Sequence, residues 1–269
     1  MSHWKIYPLV FGWIKCPKNM ITTGLDQDII IQIPYLGFYI TNGDRKILID
    51  NGINEKYIVD GKAWAGMPAD GGAEYIYKEF ERINVDISEI DTVIYTHLHN
   101  DHAGNCSLFP DAVHVFQDRE WKELLDPLPS MKIRGDFDQS LIEDLKKLNC
   151  QRVVGDVEYE EGLKFMLTPG HTDGSMCITV DTKDGKYLIA GDTIHMRHIA
   201  YGYLDELKTM EGEIIKVTPA PKDWDYISPS SLVYNHYDWY KSIYKIKSMF
   251  KEKQVLTGHG PYLVNKTFG

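Results

Sequence analysis

Short apolar runs alternate with amphipathic stretches along the chain, a pattern typical of mixed α/β proteins. In the first half, short runs rich in apolar residues predict strands at Lys5–Phe11, Tyr35–Thr41, Lys46–Asp50, Thr92–Thr96 and Val113–Phe116. Asn42-Gly43 follows the second of these runs and is a typical hairpin signal. Apolar residues at helical spacing predict helices at Ala73–Ile83, at about Arg119–Leu125 and through Leu141, Leu145 and Leu148.

The second half of the chain begins again with strands. They are predicted at Gln151–Val154, Leu163–Leu167, Met176–Asp181 and Lys186–Ala190. A final helix at about Tyr237–Phe250 directs Tyr240, Ile243 and Phe250 toward a core, and Val255–Thr257 closes the series as a strand. Two halves that each run from strands to a helix indicate a duplicated sandwich of sheets with helices outside.

Two long stretches, Gly52–Gly72 and Ile194–Ser231, show no clear period and are rich in aromatic residues, glycine and proline. Loops of this length inside a compact domain usually serve a function. We therefore expect these two stretches to border whatever site the protein has.

The composition is that of an ordinary globular protein. The chain has 269 residues, of which 43% are hydrophobic and 25% charged, and we interpret residues 1–269 as one domain. The formal net charge of −10 offers no basic field for nucleic acid or an anionic membrane surface. No apolar run approaches the 18 or so residues of a membrane span.

The N-terminus and the cysteines indicate a cytoplasmic protein. Met1-Ser2-His3-Trp4-Lys5 lacks the basic and apolar regions of a secretory signal. The four cysteines, Cys16, Cys106, Cys150 and Cys177, are widely spread and form no CxxC pair. A chain of this length does not need disulfides, so we expect four free thiols in a reducing compartment.

The six residues from His97 to His102, with the sequence HLHNDH, are the most informative segment of the chain. His97 and His99 are two residues apart, so in extended backbone both point to the same side and can share one metal ion. Asp101 and His102 lie where the chain turns through Ala103-Gly104, which would direct them toward a second metal ion. The spacing differs from the HExxH motif, in which a helix presents its ligands four residues apart.

Further candidate ligands occur downstream, each at the end of a predicted strand and beside glycine. They are His171 after Pro169-Gly170, Asp192 after Gly191, and His259 between Gly258 and Gly260. Each of them alone is weak evidence, but together with the histidine cluster they predict a metal centre. Imidazoles and carboxylates without a thiolate suit Zn²⁺, Fe²⁺, Mn²⁺ or Co²⁺, with zinc preferred here.

In order and spacing these motifs resemble the metallo-β-lactamase superfamily, over roughly residues 35–260. The resemblance implies an α/β fold, the αβ/βα four-layer sandwich with two mixed sheets and outer helices. It also implies a dinuclear centre in which the first metal is bound by His97, His99 and His171, the second by Asp101, His102 and His259, with Asp192 bridging the two.

Within that superfamily the chain is most similar to the N-acyl homoserine lactonases. The cues are Asp101–Asn105, a hairpin that ends in Ile49–Gly52 with a long loop after it, and the compact length. The chain departs from that group at His195, where the lactonases typically carry tyrosine three positions after the bridging aspartate. It also has Asn100 where some of them place an aromatic residue.

The expected reaction is the opening of a lactone or related ester by a metal-bridging hydroxide. Asp101 would pass a proton to the leaving alkoxide, and His195 would support the oxyanion, which makes these two the expected catalytic residues. The partner is then a small-molecule ester or lactone, acted on by a monomer or homodimer. An apolar wall for its acyl or aryl group is expected from the two long loops, at Trp64, Met67, Tyr201, Tyr203, Trp224 and Tyr226.

Other activities on the same fold remain open. Thioesterases of the glyoxalase II kind, phosphodiesterases and alkyl- or arylsulfatases could use the same ligands. A nucleic-acid phosphodiesterase is disfavoured because no basic tract accompanies the acidic net charge. The alternative outside catalysis is a metal-binding or signalling protein that keeps the fold without hydrolysing a substrate.

Overall fold

The structure is a computed structural model that describes residues 3–269; Met1 and Ser2, the first two residues of the N-terminal segment considered above, lie outside the described residues. The strands are β1 (Lys5–Pro17), β2 (Ile30–Thr41), β3 (Lys46–Ile49), β4 (Lys62–Ala63), β5 (Met67–Gly71), β6 (Thr92–Ile94), β7 (Val113–Gln117), β8 (Asn149–Val153), β9 (Val157–Glu160), β10 (Leu163–Leu167), β11 (Met176–Thr182), β12 (Gly185–Ile189), β13 (Glu206–Lys208), β14 (Ile214–Lys216) and β15 (Val255–Leu256). The helices are α1 (Ala73–Arg82), α2 (Asn100–Ala103), α3 (Asp118–Leu125), α4 (Pro129–Arg134), α5 (Leu141–Leu145), α6 (Arg197–Ala200) and α7 (His236–Met249).

The first sheet is mixed and runs in the order β4-β5-β1-β2-β3-β6-β7-β8. Strands β1, β2 and β3 are antiparallel, whereas β3, β6, β7 and β8 are parallel to one another. The hairpin predicted at Asn42-Gly43 is present, with Thr41 paired to Lys46. Its turn is longer than the two residues expected, because Asn42 Oδ1 accepts the backbone N–H groups of Asp44 and Arg45.

The second sheet has the order β15-β12-β11-β10-β9 and is antiparallel except for the parallel pair β12 and β15. Strand β8, which the sequence assigned to the second half, pairs with β7 and completes the first sheet. The two sheets therefore divide after β8. The long stretches without a period contain short elements, β4 and β5 in the first stretch and α6, β13 and β14 in the second.

The two sheets pack face to face, with helices on both outer faces. Phe38 and Ile94 of the first sheet and Phe165 and Ile189 of the second belong to one fully buried cluster between the sheets. Helices α1 and α3 cover the outer face of the first sheet, and α7 covers that of the second through Trp239. This arrangement confirms the four-layer sandwich that the resemblance implied.

An ion-pair network joins the two sheets at the hairpin. Arg45 contacts Asp91 at 2.8 Å and Glu160 of β9 at 2.9 Å. Burial raises the pKa of the Asp91 carboxyl, but hydrogen bonds from Arg45 and from the Lys46 N–H outweigh burial and lower the pKa below its ordinary value.

Every predicted ligand follows the end of a strand at one edge of the sandwich. Strand β6 leads into His97, β10 into His171, β12 into Asp192 and β15 into His259. Loops at strand ends leave polar side chains free to converge while the strands behind them hold the backbone. Among residues 3–269, no helix is both long enough and apolar enough to cross a membrane.

Candidate metal centre

Three buried imidazoles converge in the first part of the site. His171 Nε2 lies 3.2 Å from His97 Nε2 and 3.0 Å from His99 Nδ1. Burial, reinforced by the neighbouring imidazoles, lowers the pKa of all three rings below the ordinary histidine value. Neutral imidazoles whose lone pairs point at one spot are the donor set that a divalent transition metal takes.

The second part of the site combines two carboxylates and two imidazoles. Asp101, His102, Asp192 and His259 each offer one ligand atom, and these atoms lie within 4.8 Å of one another. His259 Nε2 is 3.1 Å from Asp192 Oδ1, and His102 Nε2 is 3.4 Å from the same oxygen. Asp101 completes the group, with Oδ2 3.6 Å from His259 Nε2.

Asp192 lies between the two groups. One of its oxygens, Oδ1, faces His259, while Oδ2 lies 3.6 Å from His171 Nε2 of the three-imidazole group. Although burial raises the pKa of this carboxyl, the surrounding imidazoles, led by His195 and His259, hold it well below the ordinary aspartate value. An ionised carboxylate in this position would be within reach of metal ions held in either group.

The local backbone explains how the ligands reach their positions. His97 and His99 lie in the irregular segment between β6 and α2, where the chain bends at Thr96, and α2 begins immediately after the extended residue His99. Gly258 lies so close to the centre that a Cβ added there would be 2.2 Å from Asp192 Oδ1. Any other residue at this position would displace the carboxylate.

The outer nitrogens of several ligand rings are fixed by hydrogen bonds. His171 Nδ1 donates to Leu232 O at 2.9 Å, and His259 Nδ1 donates to Pro34 O at 2.8 Å. A carbonyl oxygen can only accept, so each of these rings carries its proton on Nδ1 and turns the lone pair of Nε2 to the centre.

Asp50 supports His102 in the same way, and the sequence reasoning did not identify it as part of the site. Its Oδ2 accepts from His102 Nδ1 at 2.8 Å, and its Oδ1 accepts the Thr96 N–H at 2.8 Å. The sequence feature that could have identified Asp50 is its position directly after the apolar strand β3, at the same sheet edge as the predicted ligands.

The residues fit a pair of metal ions. Within the described part of the chain, the buried atoms His99 Nε2, His102 Nε2 and Asp192 Oδ1 have no hydrogen-bond partner. Unpaired buried polar atoms are costly, and coordination would satisfy those of His102 and Asp192. The donor set of imidazoles and carboxylates suits zinc, and also iron, manganese or cobalt.

His195, one of the two expected catalytic residues, lies beside Asp192 and is only 1% exposed. Its Nε2 is 3.1 Å from Asp192 Oδ2, and the ring stacks on His259 with centroids 5.8 Å apart. Over residues 3–269, neither of its ring nitrogens makes a hydrogen bond with good geometry. Together with His171 and Asp192 it forms a third group of possible ligand atoms, so the position offers either a hydrogen-bond donor or a further ligand.

A cavity of about 350 Å³ opens onto this centre. Most of its wall consists of apolar and aromatic side chains: Ile14, Cys16, Met20, Ile21, Ile33, Tyr35, Trp64, Ala65, Met67, Ile133 and Leu232. Three further polar side chains belong to the wall, those of Arg134, Asp136 and Tyr234. The remaining lining residues are those of the centre itself: His99, Asp101, His171, Asp192, His195 and His259. The buried Tyr35 hydroxyl makes no hydrogen bond within residues 3–269. This wall can take an apolar chain that ends in a polar, hydrolysable group.

The structure separates the two sets of predicted wall residues. Trp64 and Met67 line the cavity, whereas the four aromatic residues of the second loop, Tyr201, Tyr203, Trp224 and Tyr226, are not among its lining residues. Tyr201 is buried in the core and donates to Phe250 O, and Tyr203 packs edge-on against Tyr226. Trp224 is 49% exposed. Leu207, Val217 and Ile227 of the same loop are buried in one core cluster with Tyr201, so the aromatic composition of the loop reflects packing.

The remaining histidines and the cysteines lie outside the centre. His114 is buried between Tyr95 and Phe109 O, His198 contacts Glu206 O, and His236 is exposed. The four cysteines are free, and burial raises the pKa of each thiol. Asn100, which stands where some lactonases place an aromatic residue, donates to Gly135 O.

Comparisons with known proteins agree with this geometry. The family profile described as Metallo-beta-lactamase superfamily matches residues 36–259. The chain is 25% identical to N-acyl homoserine lactonase AttM of Azorhizobium caulinodans, over 97% of this chain and 95% of that protein. A solved AiiA variant from B. thuringiensis, with N-decanoyl-L-homoserine bound at the active site, is 20% identical with a TM-score of 0.72, and the match covers 96% of this chain and 94% of that chain. AidC, a dizinc quorum-quenching lactonase, is 16% identical with a TM-score of 0.70, over 96% of this chain and 88% of that chain.

Proposed function

Because the chain belongs to the metallo-beta-lactamase superfamily, we propose that it is a dinuclear metal-dependent hydrolase that opens N-acyl homoserine lactones or closely related esters. One observation carries the proposal: a group of three buried imidazoles and a group of two carboxylates and two imidazoles lie side by side at the end of an apolar cavity, with Asp192 Oδ2 of the second group 3.6 Å from His171 Nε2 of the first. The lactonase relatives support the substrate class, since the alignment with AttM extends over nearly the whole of both chains.

We assign the ligands by the two groups. His97, His99 and His171 would hold the first ion, Asp101, His102 and His259 would hold the second, and Asp192 would bind both. Two divalent ions held there, zinc by preference, would supply a water nucleophile that is deprotonated at neutral pH and would polarise the carbonyl of the substrate.

Asp101 is the residue placed to move a proton. It lines the cavity, and its Oδ2 lies 3.6 Å from His259 Nε2 and 3.7 Å from His102 Nε2. Of the candidate ligands it is the most exposed, at 8%. A carboxylate at the border between the ligands and the cavity can pass a proton from the nucleophile to the leaving alkoxide.

His195 takes the place of the tyrosine that the lactonases typically carry. Its side chain lines the cavity, and its ring nitrogens have no hydrogen-bond partner of good geometry among the residues described. An N–H donor that is held rigidly beside the reacting carbonyl stabilises the oxyanion as it forms. We therefore assign His195 the role of oxyanion donor.

The shape of the cavity fits an acyl substrate. Ile14, Ile33 and Trp64 provide an apolar wall for the acyl chain, while the ester group lies at the ligands.

The four cysteines of the chain are free thiols, which suits a reducing compartment. We therefore place the protein in the cytoplasm, as a single domain.

The experiment is a substrate panel with metal-replete protein: short- and long-chain acyl homoserine lactones, a simple lactone, a glutathione thioester and a phosphodiester. Proton release is recorded for each, with a chelated sample as the control. Fast opening of the lactones that chelation abolishes supports the proposal. Turnover of the thioester or the phosphodiester alone would keep the metal centre and overturn the lactonase assignment, and no hydrolysis at all would indicate a binding protein.

A further inference from the structure

Glu120 is a fully buried carboxyl group that has no part in the reaction described above. It lies on α3, with 0% of the residue exposed, on a helix whose other charged residues mostly face solvent. Charged residues are almost never fully buried unless they are paired, so a buried glutamate requires specific partners.

Its partners lie on two different ligand-bearing segments. Oε2 accepts the backbone N–H of Leu98 at 2.7 Å, and Oε1 accepts the backbone N–H of Gly174 at 3.0 Å. Oε1 also accepts the hydroxyl of Thr172 at 2.5 Å. Leu98 stands between the candidate ligands His97 and His99, and Thr172 directly follows His171.

Glu120 packs closely against Gly174. A Cβ added to Gly174 would lie 2.6 Å from the Glu120 backbone nitrogen and 2.8 Å from Oε1. The two segments are also joined at their strand ends, where the Met176 N–H donates to Thr96 O. Glu120 adds the connection beside the ligands themselves, on the side away from the cavity.

The connection does not depend on the protonation state of the carboxyl. Burial, and then the charge of Glu123, raises the pKa of Glu120 above its ordinary value. When the carboxyl is neutral, its O–H can donate to Thr172 Oγ1, which can donate in turn to Ser175 Oγ at 2.5 Å. Both backbone N–H groups keep an acceptor in either state.

We propose that Glu120 is a positioning residue that sets the spacing between the His97–His99 pair and His171, and so the affinity of the three-imidazole position for its metal ion. The inference rests on the ligand assignment of the proposed function. Groups behind metal ligands that hold their orientation typically contribute 10–100-fold to metal affinity.

The test is Glu120→Gln. Glutamine has nearly the same shape but only one acceptor oxygen, so its NH₂ group would face the N–H of either Leu98 or Gly174. Glu123→Gln is the matched control, because Glu123 lies on the same helix and, within residues 3–269, accepts one hydrogen bond, from the Asp173 N–H of the second segment. Thr172→Val removes the hydroxyl that contacts Glu120 and Ser175 but leaves both backbone N–H donors of Glu120 in place, and it serves if Glu120→Gln does not fold.

The readout is Zn²⁺ binding to metal-free protein by calorimetric titration, with thermal unfolding of the metal-free protein beside it. His171→Ala identifies the three-imidazole position, because it should abolish the Zn²⁺-binding step that belongs to it. We expect Glu120→Gln to weaken the Zn²⁺ affinity of that same step by about 10–100-fold. The step that His259→Ala abolishes should change little, and Glu123→Gln should leave both steps unchanged. Thr172→Val should produce a smaller loss in the same step.

Four results would overturn the inference. If Glu120→Gln lowers the unfolding temperature but leaves both affinities unchanged, Glu120 only stabilises the fold. If both steps weaken equally, or if Glu123→Gln has the same effect, the spacing of one ligand group is not what Glu120 controls. In each of these cases the proposed function still stands if the wild-type protein binds two ions and opens lactones. If the wild-type protein binds no Zn²⁺, both the proposed function and this inference fail.

Discussion

Asp50 Oδ2 accepts a hydrogen bond from His102 Nδ1 at 2.8 Å, and this bond turns the Nε2 of the same ring toward Asp192. Both residues are buried, and Asp50 adopts a left-handed backbone conformation with φ of 58°. A strand of the first sheet thus orients a ligand that arrives from a different part of the chain. Carboxylates that hold a ligating histidine in this way raise its basicity and fix its tautomer.

Replacing Asp50 with asparagine tests this relationship without changing the backbone, since asparagine also tolerates the left-handed region. The amide keeps one acceptor oxygen and sets its NH₂ group against a donor. We expect Asp50→Asn to weaken Zn²⁺ binding at the Asp101–His102–His259 position by about 10–100-fold, measured by competition with a chelator. Asp60→Asn is the control, because Asp60 is exposed and has a similar φ of 52°. Unchanged affinity in Asp50→Asn would remove Asp50 from the site.

The candidate ligands were predictable from the sequence because their chemistry is concentrated and unusual. Three imidazoles and a carboxylate between His97 and His102 have few structural explanations, and the other ligands stand beside glycines at strand ends. Asp50 and Glu120 were not predicted, since a single acidic residue in a strand or helix pattern reads as solvent-facing. Only the tertiary structure shows that each one accepts several donors in a buried place.

His195 can be tested by separating its donor role from metal binding. His195→Leu removes both ring nitrogens at similar volume, and we expect kcat for lactone opening to fall by about 10²-fold with little change in KM. His195→Gln keeps an N–H donor and should retain much more of the activity. Metal content is measured in both variants. A loss of bound metal in His195→Leu would show that the residue is a ligand and would contradict the donor role.

Trp64 should determine how the protein discriminates between acyl chains. It lines the cavity and packs against Tyr35, with ring centroids 6.1 Å apart. We expect Trp64→Ala to raise KM for long-chain lactones by about tenfold, because apolar contact with the chain is lost, and to affect short-chain lactones less. Trp224→Ala is the matched control, since Trp224 is not among the lining residues and is half exposed. Equal KM changes for short and long chains would argue against an acyl site at Trp64.

The pKa of Asp91 predicts a pH dependence of stability. Its carboxyl has a lower pKa in the folded chain than the ordinary value of about 3.9, so the ionised form stabilises the fold above that pH and the contribution is lost as the pH falls through the folded pKa. Asp91→Asn should therefore destabilise metal-free protein by about 1 kcal/mol at pH 7, a value reduced by solvent screening of this partly exposed group.

The difference in unfolding free energy between wild type and Asp91→Asn should shrink below about pH 4. Urea unfolding at pH 7, 5 and 3 measures it, and Asp111→Asn, at an exposed position, should show no difference at any pH. A difference that is the same at pH 3 and pH 7 would mean that the charge of Asp91 is not what stabilises the hairpin.

The strands and long helices were also predictable, because burial on one face imposes a regular spacing of apolar residues. Strand β10 begins and ends where the sequence predicted, and α1 ends within one residue of the expected position. Partner choice was harder: β8 follows the helices of the first half but pairs with β7, and nothing in its short run distinguishes one sheet edge from the other. The second long loop was misjudged for a related reason: the sequence does not distinguish aromatic residues that pack against the core from aromatic residues that line a cavity.

The central claim is that two metal ions act together at the group joined by Asp192. The most direct measurement is a titration of metal-free protein with Zn²⁺, in which proton release from an acyl homoserine lactone is recorded at each ratio of metal to chain. The account predicts that the rate of lactone opening rises until two ions are bound per chain and then stays constant. Full activity at one ion per chain, or a rate that does not depend on Zn²⁺, would contradict it.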